Sequence, residues 1–192
     1  GKTGKLTGLI FPNYTIVESL PPKDEWKMDA RGRDRGYTND PTALIHVVLA
    51  HGELWLDEEI YETGLTNPEI AAKAKEKGVT RKNLIIADCA EQKSIKEVKN
   101  EGLWVISSVK GKDSIRVGID ILKRYKLNIT RKSVGLREEV NNYKYKTDRD
   151  GKKTNEPIDK WNHAIDAVRY VGLLKLAVRR TGTARAHYNS LD

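Results

Sequence analysis

Three runs between Trp26 and Tyr61 constrain the fold of this chain more than any other feature. Trp26 to Asp34, Thr42 to Ala50 (TALIHVVLA) and Glu53 to Tyr61 (ELWLDEEIY) each read as a strand, with His51-Gly52 as a tight turn between the last two. Together they predict an antiparallel meander. Helices and strands then alternate. Asn67-Pro68-Glu69 opens a short helix that Gly78 ends, with Asn67 as cap and proline in the first turn. Asn83 to Asp88 (NLIIAD) is too short for a helix and reads as a buried strand. Gln92 to Asn100 follows as a helix, Leu103 to Ser107 as a strand, and Asp113 to Tyr125 as an amphipathic helix with Ile115, Ile119 and Leu122 on one side. Lys144 to Pro157 is polar and carries an Asp150-Gly151 turn signal, so it reads as an exposed loop or hairpin tip. A helix from about Ile158 to Arg180 comes last. The order β-β-β-α-β-α-β-α predicts an α/β domain, a mixed sheet of about five strands flanked by helices.

Within the 192 residues, 1–24 read as a connecting arm docked on the domain, because Gly4, Gly8, Pro12, Pro21 and Pro22 surround one apolar run, Leu9-Ile10-Phe11. Residues 25–180 form the domain and 181–192 a C-terminal tail. The polar, Gly-rich start without methionine predicts a piece of a longer chain. The single cysteine, Cys89, excludes an internal disulfide and a Cys-rich zinc site and suits a reducing compartment. No apolar stretch approaches membrane-span length and the start lacks a signal peptide's apolar region, so a soluble intracellular protein is expected.

Three segments could carry chemistry. In Gly32-Arg33-Asp34-Arg35-Gly36 the aspartate ends the first strand between two glycines that permit close approach of a ligand or of backbone; the alternative is a capped turn. Asp88 lies at the carboxyl end of Leu84-Ile85-Ile86-Ala87, where layered α/β sheets bind ligands; the alternative is an N-cap for the helix beginning near Gln92. Cys89 beside it reads as a small core residue. In the last helix, 100° per residue puts Asp159, His163, Asp166 and Tyr170 within a sector of about 60°. Trp161, Ala164, Ile165, Val168, Val171 and Gly172 lie on a separate, packed face. The alternative is a solvated stripe with Asp159 and His163 as an i, i+4 pair. Two strand-end aspartates and one helical aspartate suit a divalent cation, since Mg²⁺ and Mn²⁺ prefer hard carboxylate oxygens. Two such ions can activate water and neutralise a scissile phosphate. A Walker loop is missing; Gly1-Lys2-Thr3 matches only its last letters.

These residues, taken with GLIFPNY and IVESLPP near the start, GRDRGYTNDPTAL, LIIADCAEQKSI and DKWNHAIDAVRY, resemble the nuclease domain of phage large terminase subunits, which has a ribonuclease H-like fold. The resemblance implies that Asp34, Asp88 and Asp166 bind the metals, two Mg²⁺ or Mn²⁺ ions, that cut double-stranded DNA during genome packaging. It makes His163 the matching histidine of the catalytic set and Glu91 an extra carboxylate. It also implies an ATPase motor domain upstream in the same chain, a small terminase subunit, a portal protein, no membrane, a monomeric isolated domain and the cytoplasm of an infected bacterial host. One departure stands out. Where the family has apolar residues around the first aspartate, this chain has Arg31, Arg33 and Arg35, which period two puts on one face. Cations beneath a helix layer must reach an edge, pair with acids or face DNA.

Charge is 35 Lys+Arg against 27 Asp+Glu, a net +8. Lys144, Lys146, Arg149, Lys152 and Lys153, with Arg179, Arg180 and Arg185, are candidates for phosphate contacts that position a duplex without reading its sequence; the alternative is ordinary solvated charge. Tyr143 and Tyr145 read as completing a strand rather than stacking on bases. Gly32-x-Asp34-x-Gly36 also resembles the first phosphate loop of actin and heat-shock-type ATPases, but a second such loop and domain are missing. Junction resolvases and transposases share the fold and acidic triad, and a basic DNA-binding module without activity is a further reading. His163 suits a metal ligand, a general base or a donor orienting Asp166.

Overall fold

The apolar runs between residues 28 and 63 pair as a meander, and the remaining elements are laid on it. The computed structural model describes residues 8–36, 38–109, 111 and 113–177. A three-residue strand, β1 (Thr15–Val17), precedes β2 (Met28–Asp34), β3 (Pro41–Ala50) and β4 (Glu53–Thr63). The last three pair antiparallel, and His51 and Gly52 make the β3–β4 turn with positive φ, the geometry that matches strand twist. Next come α1 (Asn67–Glu76), β5 (Leu84–Ala87), α2 (Gln92–Asn100), β6 (Trp104–Ser107), α3 (Ser114–Leu122), β7 (Leu127–Thr130) and α4 (Val134–Asn142). A hairpin of β8 (Tyr145–Thr147) and β9 (Lys153–Pro157) leads into α5 (His163–Val171) and a wider π turn, Gly172–Leu176. The main sheet has seven strands in the order β1-β7-β4-β3-β2-β5-β6. Pairings outside the meander are parallel.

Adjacent strand residues feed opposite faces. Ile45, Ile86, Ile119, Leu122, Ile165 and Val168 share the core under α3, α4 and α5, whereas Leu44, Ile85, Ile70, Val98 and Val105 share the one under α1 and α2. Because both faces are covered, β5 is apolar throughout rather than alternating.

The sheet exceeds the expected five strands by β1 and β7. Neither declares itself in the sequence: β1 is three residues in a proline-rich stretch, and β7, Leu-Asn-Ile-Thr, is buried at every position without being apolar at every position. The stretch read as an arm is partly structural, since Ile10 and Phe11 are buried in the core and β1 pairs with β7 at the sheet edge. The helix expected from Ile158 starts five residues later. Trp161 adopts a left-handed φ of 60°, which a helix cannot continue through, so Asp159 and Trp161 are off the helix and the Asp159–His163 pair does not form. Ile115 lies 45% exposed rather than in the core, at the open first turn of α3. Thr66, not Asn67, caps α1, in a capping box with Glu69. Arg179, Arg180, Arg185 and the tail 181–192 lie outside the described residues.

The arginines of β2 are resolved by pairing with acids. The β3–β4 register shift leaves Glu59 as the extra residue of a bulge. Arg31 grips it through Nε and Nη2, each at 2.9 Å. Arg33 Nη2 meets Glu91 Oε2 at 3.3 Å. Among the described residues no helix is long and apolar enough to cross a membrane.

Candidate metal centre

β2 and β5 run parallel and adjacent, with Arg33 opposite Ala87. Asp34 and Asp88 therefore leave the sheet at the same end, where the two strands finish. Above them α5 lies against β2 without a side chain between. A Cβ on Gly32 would stand 1.7 Å from the Ala167 carbonyl oxygen, so only glycine permits this approach. The glycine read as permitting a ligand's or backbone's approach serves backbone. This contact delivers His163, Asp166 and Tyr170 over Asp34.

Asp34 accepts from both ends of α5: His163 Nδ1 lies 2.9 Å from Oδ2, and the Tyr170 hydroxyl donates to Oδ1 at 3.1 Å. His163 Nε2 is 3.5 Å from Asp40. The hydrogen bond to Asp34, opposed by burial and helped by the charges of Asp34, Glu139 and Asp40, raises the imidazole pKa to about 9, so the ring is cationic at neutral pH. The partner His163 orients is Asp34, not Asp166. Asp166 is held separately, by Arg169 Nε at 2.9 Å on Oδ1 and Asn162 Nδ2 at 3.3 Å on Oδ2. Burial, offset by Arg169 and reinforced by Asp34, lifts its pKa to about 6. Asp88 caps its own turn, accepting the Ala90 amide at 3.0 Å, while α2 begins beyond it. Glu91 rises to about 7 through burial, offset by Arg33 and reinforced by Asp34 and Asp88.

Adjacent strand ends and the contacts of α5 with Asp34 bring the three aspartates to one end of the sheet. The Tyr170 phenol is raised by burial and then by the charges of Asp34, Asp166 and Asp88 together. Three carboxylates around one protonated phenol are a hard-oxygen donor set of the kind Mg²⁺ and Mn²⁺ take. In their present rotamers each is turned to a protein partner, and among the described residues no three His, Cys, Asp or Glu side chains stand together as an ion-binding group. The chemistry of the donors fits a divalent ion, and each carboxylate keeps acceptor sites beyond those its protein partners occupy.

An open groove of about 800 Å³ runs from this site, lined by Asp166, Asn162, Asp113, Arg116, Lys146 and Asn155. The hairpin forms one wall. Lys144, Lys146, Arg149, Lys152 and Lys153 are all exposed. Lys146 meets Glu156 at 3.5 Å, and Lys153 lies 4.8 Å from the Tyr145 ring. Tyr145 pairs in β8, as a strand-completing role requires, whereas Tyr143 ends α4 outside any strand and is buried in the core.

Sequence reading missed Tyr170 as a partner of Asp34, and Arg169 and Asn162 as partners of Asp166. Spacing offered a signal, since Arg169 is i+3 and Tyr170 i+4 from Asp166 on α5. Glu139 left none. It comes from α4, an unforeseen helix, is fully buried, and accepts the Ile165 amide at 3.0 Å and the Tyr61 hydroxyl at 3.0 Å. Asn162 makes no side-chain cap of its own, so Glu139 caps the helix that carries the site.

The model of the terminase RNase H-like domain family matches residues 34–171, from Asp34 through the end of α5. The chain belongs to this family. A curated relative, the large terminase subunit of Bacillus phage SPP1, is 31% identical over 170 residues, which is 83% of this chain and 40% of that protein. This terminase domain thus spans well under half the length of that relative. Among solved structures, the large terminase nuclease domain of bacteriophage SPP1 with bound Mn superposes with a TM-score of 0.74 at 27% identity, over 84% of this chain and 96% of that one. The P22 large terminase nuclease domain shares the fold at a TM-score of 0.70 and 14% identity, over 87% and 92%. The expected ribonuclease H-like terminase fold is therefore present.

Proposed function

We propose that this domain is a divalent-metal-dependent endonuclease that cuts double-stranded DNA during phage genome packaging, with Asp34, Asp88 and Asp166 holding two Mg²⁺ or Mn²⁺ ions. The observation that carries this reading is that Asp34 and Asp88 follow adjacent parallel strands at one end of the sheet while α5, joined to Asp34 through His163 and Tyr170, brings Asp166 to the same end at the head of an open groove. The Mn-bound state of the SPP1 nuclease domain supports the choice of metal. When bound, such ions supply an activated water and neutralise charge on the scissile phosphate and leaving oxygen.

The chain's own residues do the rest. His163 and Tyr170 hold Asp34, and Asn162 and Arg169 hold Asp166. The groove admits the duplex, and Lys144, Lys146, Arg149, Lys152 and Lys153 contact phosphates along it without reading sequence. The length of the SPP1 relative supports an ATPase motor elsewhere in the full chain. A small terminase subunit and a portal are the further partners, in the host cytoplasm, and the isolated domain is a monomer.

The test is nicking and linearisation of supercoiled plasmid with Mn²⁺, Mg²⁺ or chelator, alongside Asp34→Ala, Asp88→Ala and Asp166→Ala. Metal-dependent cutting that all three folded variants lose is expected. Cutting that survives in them rejects the site. The self-paired aspartates favour one second reading, a basic module that holds DNA without cutting; binding in chelator with no cleavage under either metal would select it.

A further inference from the structure

Resting on the reading of Asp166 as a metal ligand, we propose that Arg169 is the positioning residue of the centre and that Gly118, on α3, is the seat that holds it in place. Arg169 is only 5% exposed although it is charged, and its guanidinium is committed in two directions. Its Nε donates to Asp166 Oδ1 at 2.9 Å, while Oδ2 accepts from Asn162 Nδ2 at 3.3 Å, and Asp166 and Asn162 both line the groove. The same guanidinium lies 5.0 Å from the Tyr170 ring, whose hydroxyl holds Asp34. One planar cation thus braces a proposed ligand on α5 and the phenol that orients another on β2. A guanidinium suits this task because its fork and flat face act at once, which an ammonium cannot reproduce.

The stem of Arg169 is fixed from the far side. α3 crosses α5 at Gly118, where a Cβ would stand 2.2 Å from Arg169 Cγ and 2.7 Å from Cδ. Those atoms are mid-stem, so a methyl there must displace the whole arm rather than bend its tip. Gly118 is helical and buried, and alanine is the better helix former. Gly118→Ala therefore moves Arg169 without removing its charge and without weakening α3 itself. Groups that orient metal ligands typically change metal affinity by about 10–100-fold when lost.

The experiment measures Mn²⁺ affinity of this chain, without DNA, by titration calorimetry and by the EPR signal of free Mn²⁺, for the parent, Arg169→Lys and Gly118→Ala. Both variants keep the positive charge, so a change reports geometry rather than relieved repulsion of the ion. Melting temperature in chelator identifies variants that fold, and either folded variant decides the outcome. Binding about ten-fold weaker than the parent is expected. Unchanged or tighter Mn²⁺ binding in a folded variant overturns the inference while leaving the endonuclease reading intact. A parent chain that binds no Mn²⁺ sinks that reading, and this inference with it.

Discussion

His163 keeps its proton to about pH 9 because Asp34 holds it, and that pairing sets a pH dependence. The folded value stands above the ordinary imidazole value near about 6.5. The contact therefore stabilises the metal-free domain fully below about pH 6.5 and is lost as pH rises through about 9. Unfolding midpoints of the parent and His163→Gln, followed in chelator from about pH 6 to about pH 10, should converge at the alkaline end; a gap that stays constant would show that the pair contributes nothing. In cleavage, His163→Ala is expected to lose less rate than Asp166→Ala, since in the proposed centre the histidine acts through Asp34 whereas Asp166 would itself bind the metal. Initial nicking rates in Mn²⁺ compare them, and an equal or greater loss for histidine would make it a primary participant. The placement of Asp34 and Asp88 at strand ends and of Asp166 on a helix was legible from the sequence, because short apolar runs and helical spacing mark those elements. Of the groups around them, Arg169 and Asn162 lie at helical spacing from Asp166, a signal the sequence held, whereas Glu139 caps α5 from α4 through packing that one-dimensional spacing does not encode.

β2 is a strand whose apolar face is interrupted by glycine and whose other face is cationic, and both departures have structural causes. Glu59 is the bulged residue that receives Arg31, and its side chain is 6% exposed against 7% for the arginine. Removing one partner of a buried pair strands the other, so Glu59→Ala should cost about 3–5 kcal/mol in urea unfolding; a loss below about 1 kcal/mol would mean that water reaches the guanidinium. Gly32→Ala drives a methyl into the Ala167 carbonyl and should cost at least about 1–3 kcal/mol while separating α5 from β2. An alanine variant as stable as the parent would contradict the close helix–strand approach. The meander was readable because each of its strands is long and bounded by turn residues. β7 and α4 were not: a four-residue strand buried on both faces shows no period, and α4 buries a glutamate, Glu139, at a position where a sequence suggests solvent.

Across the whole molecule, the net charge of +8 and the exposed cations of the hairpin predict DNA binding that weakens steeply with salt. Each phosphate contact contributes a log–log slope of about −0.9. Lys152→Glu with Lys153→Glu should flatten the slope by about two contacts, measured by fluorescence anisotropy on a short duplex; an unchanged slope would move the DNA track off the hairpin. The alternation of helices and strands after the meander foretold the layered architecture, whereas the place of the first residues did not follow from it. Gly8 to Ile10 clasp the root of the hairpin: Leu9 bridges Lys144, the Ile10 amide donates to Tyr143, and the Tyr145 amide donates to Gly8. A tug on the chain at Gly8 is thus delivered to the base of a lever whose arm forms the wall of the groove that Asp166 also lines.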